Sequence, residues 1–182
     1  MGGDDPRPAA GPLPDARLSL TRPARGVVAG SPARRMGQNR IMSRRTSRPR
    51  PDAVTAASPC PCGLSATYGE CCGARHAGSP APTAESLMRS RYSAFVVGDE
   101  PYLLRSWHPD TRPDRVGLDD RTRWLGLEVH GSTDGGSFHQ EGTVEFTATY
   151  LERGQRGAVR EHSRFVRHEG AWVYVGPLPP SA

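Results

Sequence analysis

All four cysteines of the chain fall between residues 60 and 72, as Cys60-Pro61-Cys62-Gly63, a short spacer, and Cys71-Cys72-Gly73. Zinc takes four thiolate or imidazole donors in a tetrahedron, and this cluster offers four thiols within one loop. Cys60 and Cys62 flank Pro61 and can converge on one ion. Gly63 and Gly69 permit a tight return to Cys71-Cys72, and Gly73 lets the chain leave. Four thiolates leave the ion no open position, so the expected zinc is structural. A loop this short builds no core, and metal binding would supply its folding energy. His76 is the alternative fourth ligand in place of Cys72. The rivals are disulfides and free thiols. A Cys71–Cys72 bridge is geometrically poor, since adjacent Cα atoms lie ~3.8 Å apart against a usual minimum of ~4.4 Å. Cross-loop bridges remain open in an oxidising compartment. A Cys-x-x-Cys redox pair is absent.

Further along, Arg89 and Arg91 sit on the first strong helix, near Tyr92. They read as a solvated or salt-bridged face, with anion binding in a pocket as the functional alternative. Trp107 reads as core. His108, at a helix end, suits the dipole and the capping of carbonyls, and no partner carboxylate marks it as a general base. Glu161 is the best strand acid for a pocket. Alternation alone leaves His162 on either face, while His130, His139 and His168 read as surface.

These residues need elements to position them. Gly78-Ser79-Pro80-Ala81-Pro82 is a stiff linker. Thr83 suits an N-cap, and Met88, Tyr92, Phe95 and Val96 form one apolar helical face that Gly98 ends. Asp99 caps a second helix carrying Tyr102, Leu103, Leu104 and Trp107, closed by Pro109. Residues 110–121 are a polar connector. The period then becomes two. Trp124–His130 is a strand, with a turn at Asp134-Gly135-Gly136. In Thr143–Leu151, Val144, Phe146, Ala148 and Tyr150 face one way. Gly154–Gly157 turns the chain into Val159–Arg167, where Glu161, Ser163 and Phe165 share a face. Glu169-Gly170 is a hairpin turn before Ala171–Val175. The order predicts an α+β fold, an N-terminal zinc knuckle followed by helices packed on a curved four-stranded antiparallel sheet, with a pocket between.

Composition divides the chain. Its 182 residues include 21 Gly, 18 Pro and no Lys. Residues 1–50 hold eleven Arg against Asp4, Asp5 and Asp15, whereas residues 51–182 hold thirteen Arg against sixteen acids. The basic charge therefore belongs to the N-terminal arm and not to the folded part. We expect a disordered Arg/Pro/Gly-rich arm at 1–57, a knuckle at 58–76 and an α+β domain at 83–178. Met36 and Met42 offer alternative starts. No apolar run suits a secretory signal or a membrane span, so the expected compartment is the cytoplasm, where thiols stay reduced.

The cysteine pattern resembles the SEC-C motif, which implies zinc held by Cys60, Cys62, Cys71 and Cys72. The run Glu85–Phe95 with Trp107-His108-Pro109 and Trp124-Leu125-Gly126-Leu127 resembles the YchJ-like bacterial family of uncharacterised proteins, and implies a nuclear-transport-factor-2-like domain. The resemblance spans about residues 58–178. Leu64, Ala66 and Thr67 replace small basic residues usual inside such knuckles, which weakens nucleic-acid contact there. The favoured functional reading is a zinc-binding, non-enzymatic adaptor with a protein partner. The alternatives are a small-molecule pocket protein or enzyme, which would need a carboxylate, His or Tyr converging in the pocket, and nucleic-acid contact through the arm. No membrane partner is expected.

Overall fold

The computed structural model describes residues 53–179. They lie within the compact unit Ser47–Ala182. Most of the basic arm expected at 1–57 falls outside the described residues. Three helices, α1 (Cys72–His76), α2 (Ala84–Val97) and α3 (Glu100–Arg105), precede four strands, β1 (Thr122–Asp134), β2 (Glu141–Glu152), β3 (Gln155–His168) and β4 (Ala171–Pro177).

The expected caps set the helices. The Thr83 hydroxyl accepts from the Ser86 N–H at 3.1 Å, and Gly98 closes α2 at φ 78°, a left-handed conformation that a side chain would strain. Asp99 Oδ1 accepts from the Tyr102 N–H at 3.0 Å and starts α3 directly afterwards. The helix α2 is buried on more than its expected apolar face. Besides Met88 and Tyr92 it buries Leu87, Ser90, Arg91, Ser93 and Ala94. Serines are small enough for other backbone to approach closely, so the second face carried no hydrophobic signal. The helix α3 ends at Arg105, before Trp107. Trp107 instead bridges to Tyr174 of β4, and the Tyr174 N–H donates to the Ser106 carbonyl at 2.9 Å.

The strands form one antiparallel sheet in the order β1-β2-β3-β4. Tight turns fix its register. Arg153 and Gly154 both have positive φ, 51° and 83°, and Glu152 pairs with Gln155. Glu169 and Gly170 repeat the arrangement between His168 and Ala171. Two consecutive positive φ values match the twist of the flanking strands. The first turn is tighter than the expected Gly154–Gly157, so Gly157 lies within β3, opposite Tyr150. Irregularities at Trp124/Gly126 and Val129/Gly131 in β1, and at Arg164/Phe165 in β3, interrupt the pairing. Such bulges bend a sheet and raise its twist. One face of the sheet, with Val144, Phe165, Trp172 and Tyr174, joins Leu87, Met88 and Leu103 in the main core. The cysteines form a separate small cluster packed with Tyr68.

Candidate functional site

The structure brings the four cysteines together. The Sγ atoms of Cys60, Cys62, Cys71 and Cys72 all lie within 4.8 Å of one another, with Cys62–Cys71 at 3.7 Å and Cys71–Cys72 at 3.9 Å. A tetrahedron of metal–sulfur bonds of about 2.3 Å has edges of about 3.8 Å, so the donor set fits a metal ion. All four are free thiols. A hydrogen bond from Cys72 holds the Cys62 thiol well below its ordinary value. The same bond, with burial, pushes Cys72 up, and burial pushes Cys71 up. One thiolate forms readily here, and a bound cation would favour the remaining deprotonations.

Local backbone explains the convergence. The Cys60 N–H donates to the Ala66 carbonyl at 2.9 Å, and Gly63 turns at φ 83°. A turn at Thr55–Ser58 packs on the same loop, where the Gly69 N–H donates to the Ala56 carbonyl at 2.9 Å. Gly73 plays a different part from the one expected. It lies inside the short helix α1, and a Cβ there would sit 2.6 Å from the Tyr68 carbonyl oxygen, to which its N–H donates at 2.7 Å. Its value is close approach, not exit from the loop.

His76 is not part of the thiol cluster. Its Nε2 lies 2.9 Å from the Ser90 carbonyl, which can only accept, so Nε2 carries the proton. Nδ1 is then free to accept from the Tyr68 hydroxyl at 2.7 Å. Burial lowers the imidazole's proton affinity, which keeps this neutral tautomer. Arg89 reads as expected in part. It pairs with Glu85 at 2.7 Å, and it also donates to the Cys62 carbonyl at 3.0 Å. His76 and Arg89 thus fasten the knuckle to α2 from two points.

The opposite side of α2 faces a cavity of about 340 Å³. Met88, Arg91, Tyr92 and Phe95 of α2 form one wall, and Phe146, Ala148, Glu161 and Ser163 of the sheet form another. Phe146 pairs with Glu161 and Val144 with Ser163 across β2 and β3, so strand alternation delivers these side chains to one face. Trp107, Trp124 and Tyr174 add aromatic walls.

The cavity has a polar inner end. Arg91 is not the solvated residue expected: it is only 6% exposed. Its Nη1 donates to the Leu103 carbonyl at 2.8 Å and to the Ser106 hydroxyl at 2.7 Å. Its guanidinium carbon lies 4.8 Å from the Trp107 ring centre and 4.5 Å from that of Tyr174. Stacking on two rings offsets part of the desolvation. Burial lowers its pKa to about 10, which leaves it a cation at neutral pH. The Tyr174 hydroxyl donates to Glu161 Oε1 at 2.8 Å, and Ser163 donates to the same oxygen. Burial, then the Glu161 charge, raises the Tyr174 phenol, so it remains a donor. The buried Nε1 of Trp107 has no hydrogen-bond partner among the described residues.

Glu161, the strand acid singled out from sequence, therefore bonds a tyrosine and shares the cavity lining with a buried arginine. The other candidates lie elsewhere. His162 is exposed, one residue from the cavity-lining Glu161 and Ser163. His108 caps no helix carbonyl: its Nδ1 accepts from the Asp110 N–H at 3.2 Å, and its ring meets His168 edge-on. Tyr174 and Trp107 were missed as cavity residues, whereas Arg91 takes the pocket-facing alternative and not the solvated face that was favoured. For Arg91, the signal was its place one residue before Tyr92, on the face turned toward the sheet.

Comparison with known proteins agrees with this architecture. The family model described as YchJ, middle NTF2-like domain, matches residues 83–177. A UPF0225 protein of Streptomyces avermitilis is 56% identical over 139 residues, covering 76% of this chain and 92% of the relative. A UPF0225 protein of Xanthomonas campestris is 52% identical over 124 residues, covering 66% of this chain and 95% of the relative. Among solved structures, a SEC-C motif containing protein from Rhodopseudomonas palustris aligns with TM-score 0.57 and 31% identity, over 67% of this chain and 98% of that one. A second, from Psychrobacter arcticus, aligns with TM-score 0.58 and 28% identity, over 70% and 85%. The chain belongs to the UPF0225 family of bacterial proteins, and its four-cysteine loop precedes the residues that match the YchJ middle NTF2-like domain.

Proposed function

We propose that this protein binds a small organic molecule in the cavity between α2 and the sheet, on a scaffold stabilised by one structural zinc. The observation that carries the reading is the convergence of Arg91, Tyr174 and Glu161 at the inner end of an otherwise apolar cavity of about 340 Å³. Ligand sites combine apolar walls with a few placed polar groups in this way, and volumes of ~300–1,000 Å³ are usual for them. A docking adaptor, the reading favoured from sequence, needs its chemistry on an outer surface. Here the polar groups point inward.

Zinc is the metal we assign to the four cysteines. Its d¹⁰ configuration imposes no geometry of its own, and a full thiolate set suits a closed tetrahedral site. Bound there, the ion would supply folding energy and no open coordination position. A thiolate-held metal also suits the cytoplasm, where thiols stay reduced. Among the described residues, no helix is long and apolar enough to cross a membrane.

The test of the pocket is native mass spectrometry and metabolite extraction on the full-length protein purified from cells, alongside a variant with the cavity filled by Ala148→Phe. A small molecule retained by the wild type and lost from the variant supports the reading. A protein retained by both, with no small molecule in either, would favour the adaptor.

A further inference from the structure

This inference rests on the cavity being a ligand site, and it names the ligand class. Arg91 is a buried cation, and no carboxylate lies within ion-pair distance of it among the described residues. Only its Nη1 is engaged, by the Leu103 carbonyl and the Ser106 hydroxyl. Its remaining N–H groups have no acceptor among the described residues, in a cavity where the nearest charged group of opposite sign is Glu161. A desolvated charge without a close counter-ion is strongly unfavourable, and an anionic ligand group would relieve it.

Glu161 limits what that anion can be. Its Oε1 already accepts from Tyr174 and Ser163, and its Oε2 has no donor among the described residues. A ligand that carried only negative charge would face this carboxylate with nothing to offer it. A ligand that carried only a cation would leave Arg91 unanswered. The two groups stand at opposite parts of the Tyr174 side chain. The guanidinium stacks on the ring, and Glu161 holds the hydroxyl. Both groups thus adjoin one tyrosine side chain, and a ligand with a carboxylate and a donor on adjacent atoms can address the two together. The rest of the cavity is made of Tyr92, Phe95, Trp124 and Phe146, which suit an aromatic or large apolar body.

We propose that the cavity takes a small α-amino or α-hydroxy acid with an aromatic or large apolar side chain, its carboxylate on Arg91 and its α-substituent donating to Glu161.

Trp107 and Trp124 line the cavity and report on its occupancy by fluorescence. The experiment titrates the full-length, metal-loaded protein with L-phenylalanine, L-3-phenyllactate, 3-phenylpropionate, phenethylamine and uncharged ethylbenzene. At least one of the two bifunctional acids should bind about tenfold more tightly than 3-phenylpropionate and phenethylamine, the margin of one hydrogen bond to a charged group. In Glu161→Gln, which keeps size and shape, that advantage over 3-phenylpropionate should shrink at least threefold. Arg91→Lys should weaken every carboxylate and leave phenethylamine unchanged, with circular dichroism confirming that the variant folds. Should Arg91→Lys not fold, the Glu161→Gln ranking decides alone. Equal binding of 3-phenylpropionate and the bifunctional acids, or a ranking untouched by Glu161→Gln, overturns the proposal. Binding of ethylbenzene alone overturns this ligand class and leaves the pocket reading standing. No response to any of the five compounds overturns this class, and the extraction experiment then decides separately on the pocket.

Discussion

The Nε2–H of His76 donates to the carbonyl of Ser90 across 2.9 Å, tying the end of the short cysteine-bearing helix to the middle of α2. The same ring packs against Tyr102 with centroids 4.3 Å apart. The knuckle is thus joined to the domain through a neutral imidazole as well as through Arg89.

That imidazole gives a pH prediction. Burial places the folded proton affinity of His76 below its ordinary value near 6.5. A histidine depressed in the folded state stabilises fully above ~6.5 and loses that contribution as pH falls through the window below it. Long-range ¹H–¹⁵N spectra of the imidazole should show the neutral form of His76 with its proton on Nε2, and a titration midpoint below 6.5. A midpoint above 6.5 would contradict the lowered proton affinity, and a neutral ring protonated at Nδ1 would contradict the tautomer.

The metal should be stoichiometric and structural. Elemental analysis is expected to find about one zinc per chain, lost in Cys60→Ser and in Cys71→Ser. A strong chelator should lower the melting temperature by at least about 5 °C, because the knuckle's folding energy is metal-binding energy. A metal-free protein with an unchanged melt would refute this.

Gly73→Ala tests the close approach behind the cysteines. The new methyl would lie 2.6 Å from the Tyr68 carbonyl oxygen, which belongs to backbone and cannot swing aside. Overpacking of this kind costs about 1–3 kcal/mol. The same substitution at Gly63, where a Cβ meets nothing within 4 Å but φ is 83°, would strain only the backbone. Urea unfolding of the two variants should place Gly73→Ala as the less stable.

Tyr174→Phe keeps the ring on which Arg91 stacks and removes the donor to Glu161. A carboxylate that loses one of two donors should cost about 1–3 kcal/mol of stability. Chemical denaturation measures it. A loss below about 0.5 kcal/mol would mean that water replaces the hydroxyl without penalty.

Much of the frame was legible because it depends on local rules. Thr83 and Gly98 bound α2 through one side-chain bond and one left-handed residue, and both are visible in sequence. Alternation placed Glu161, Ser163 and Phe165 on one face correctly. The helix α1 was not legible, since Cys72–His76 has no period and is held by Tyr68, Ser90 and the thiol cluster. Nor was the burial of Ser90, Ser93 and Arg91. Two small polar residues and a cation are apolar in no scale, and their burial depends on partners distant in sequence, namely Tyr102, Leu103 and Ser106. The connector at 110–121 hid a further apolar contribution, as Val116 lines the cavity and its N–H donates to Glu100 at 2.8 Å.

Because α2 is clasped by the knuckle on one side and by the sheet on the other, neither side alone can release it. Its amides would exchange with solvent only when both neighbours have let go, so its central turn, Ser90–Ala94, should be among the last parts of the domain to take up deuterium. Occupancy of the cysteines and occupancy of the cavity would then both be read as slower exchange in the same few amides, although the two sites share no side chain.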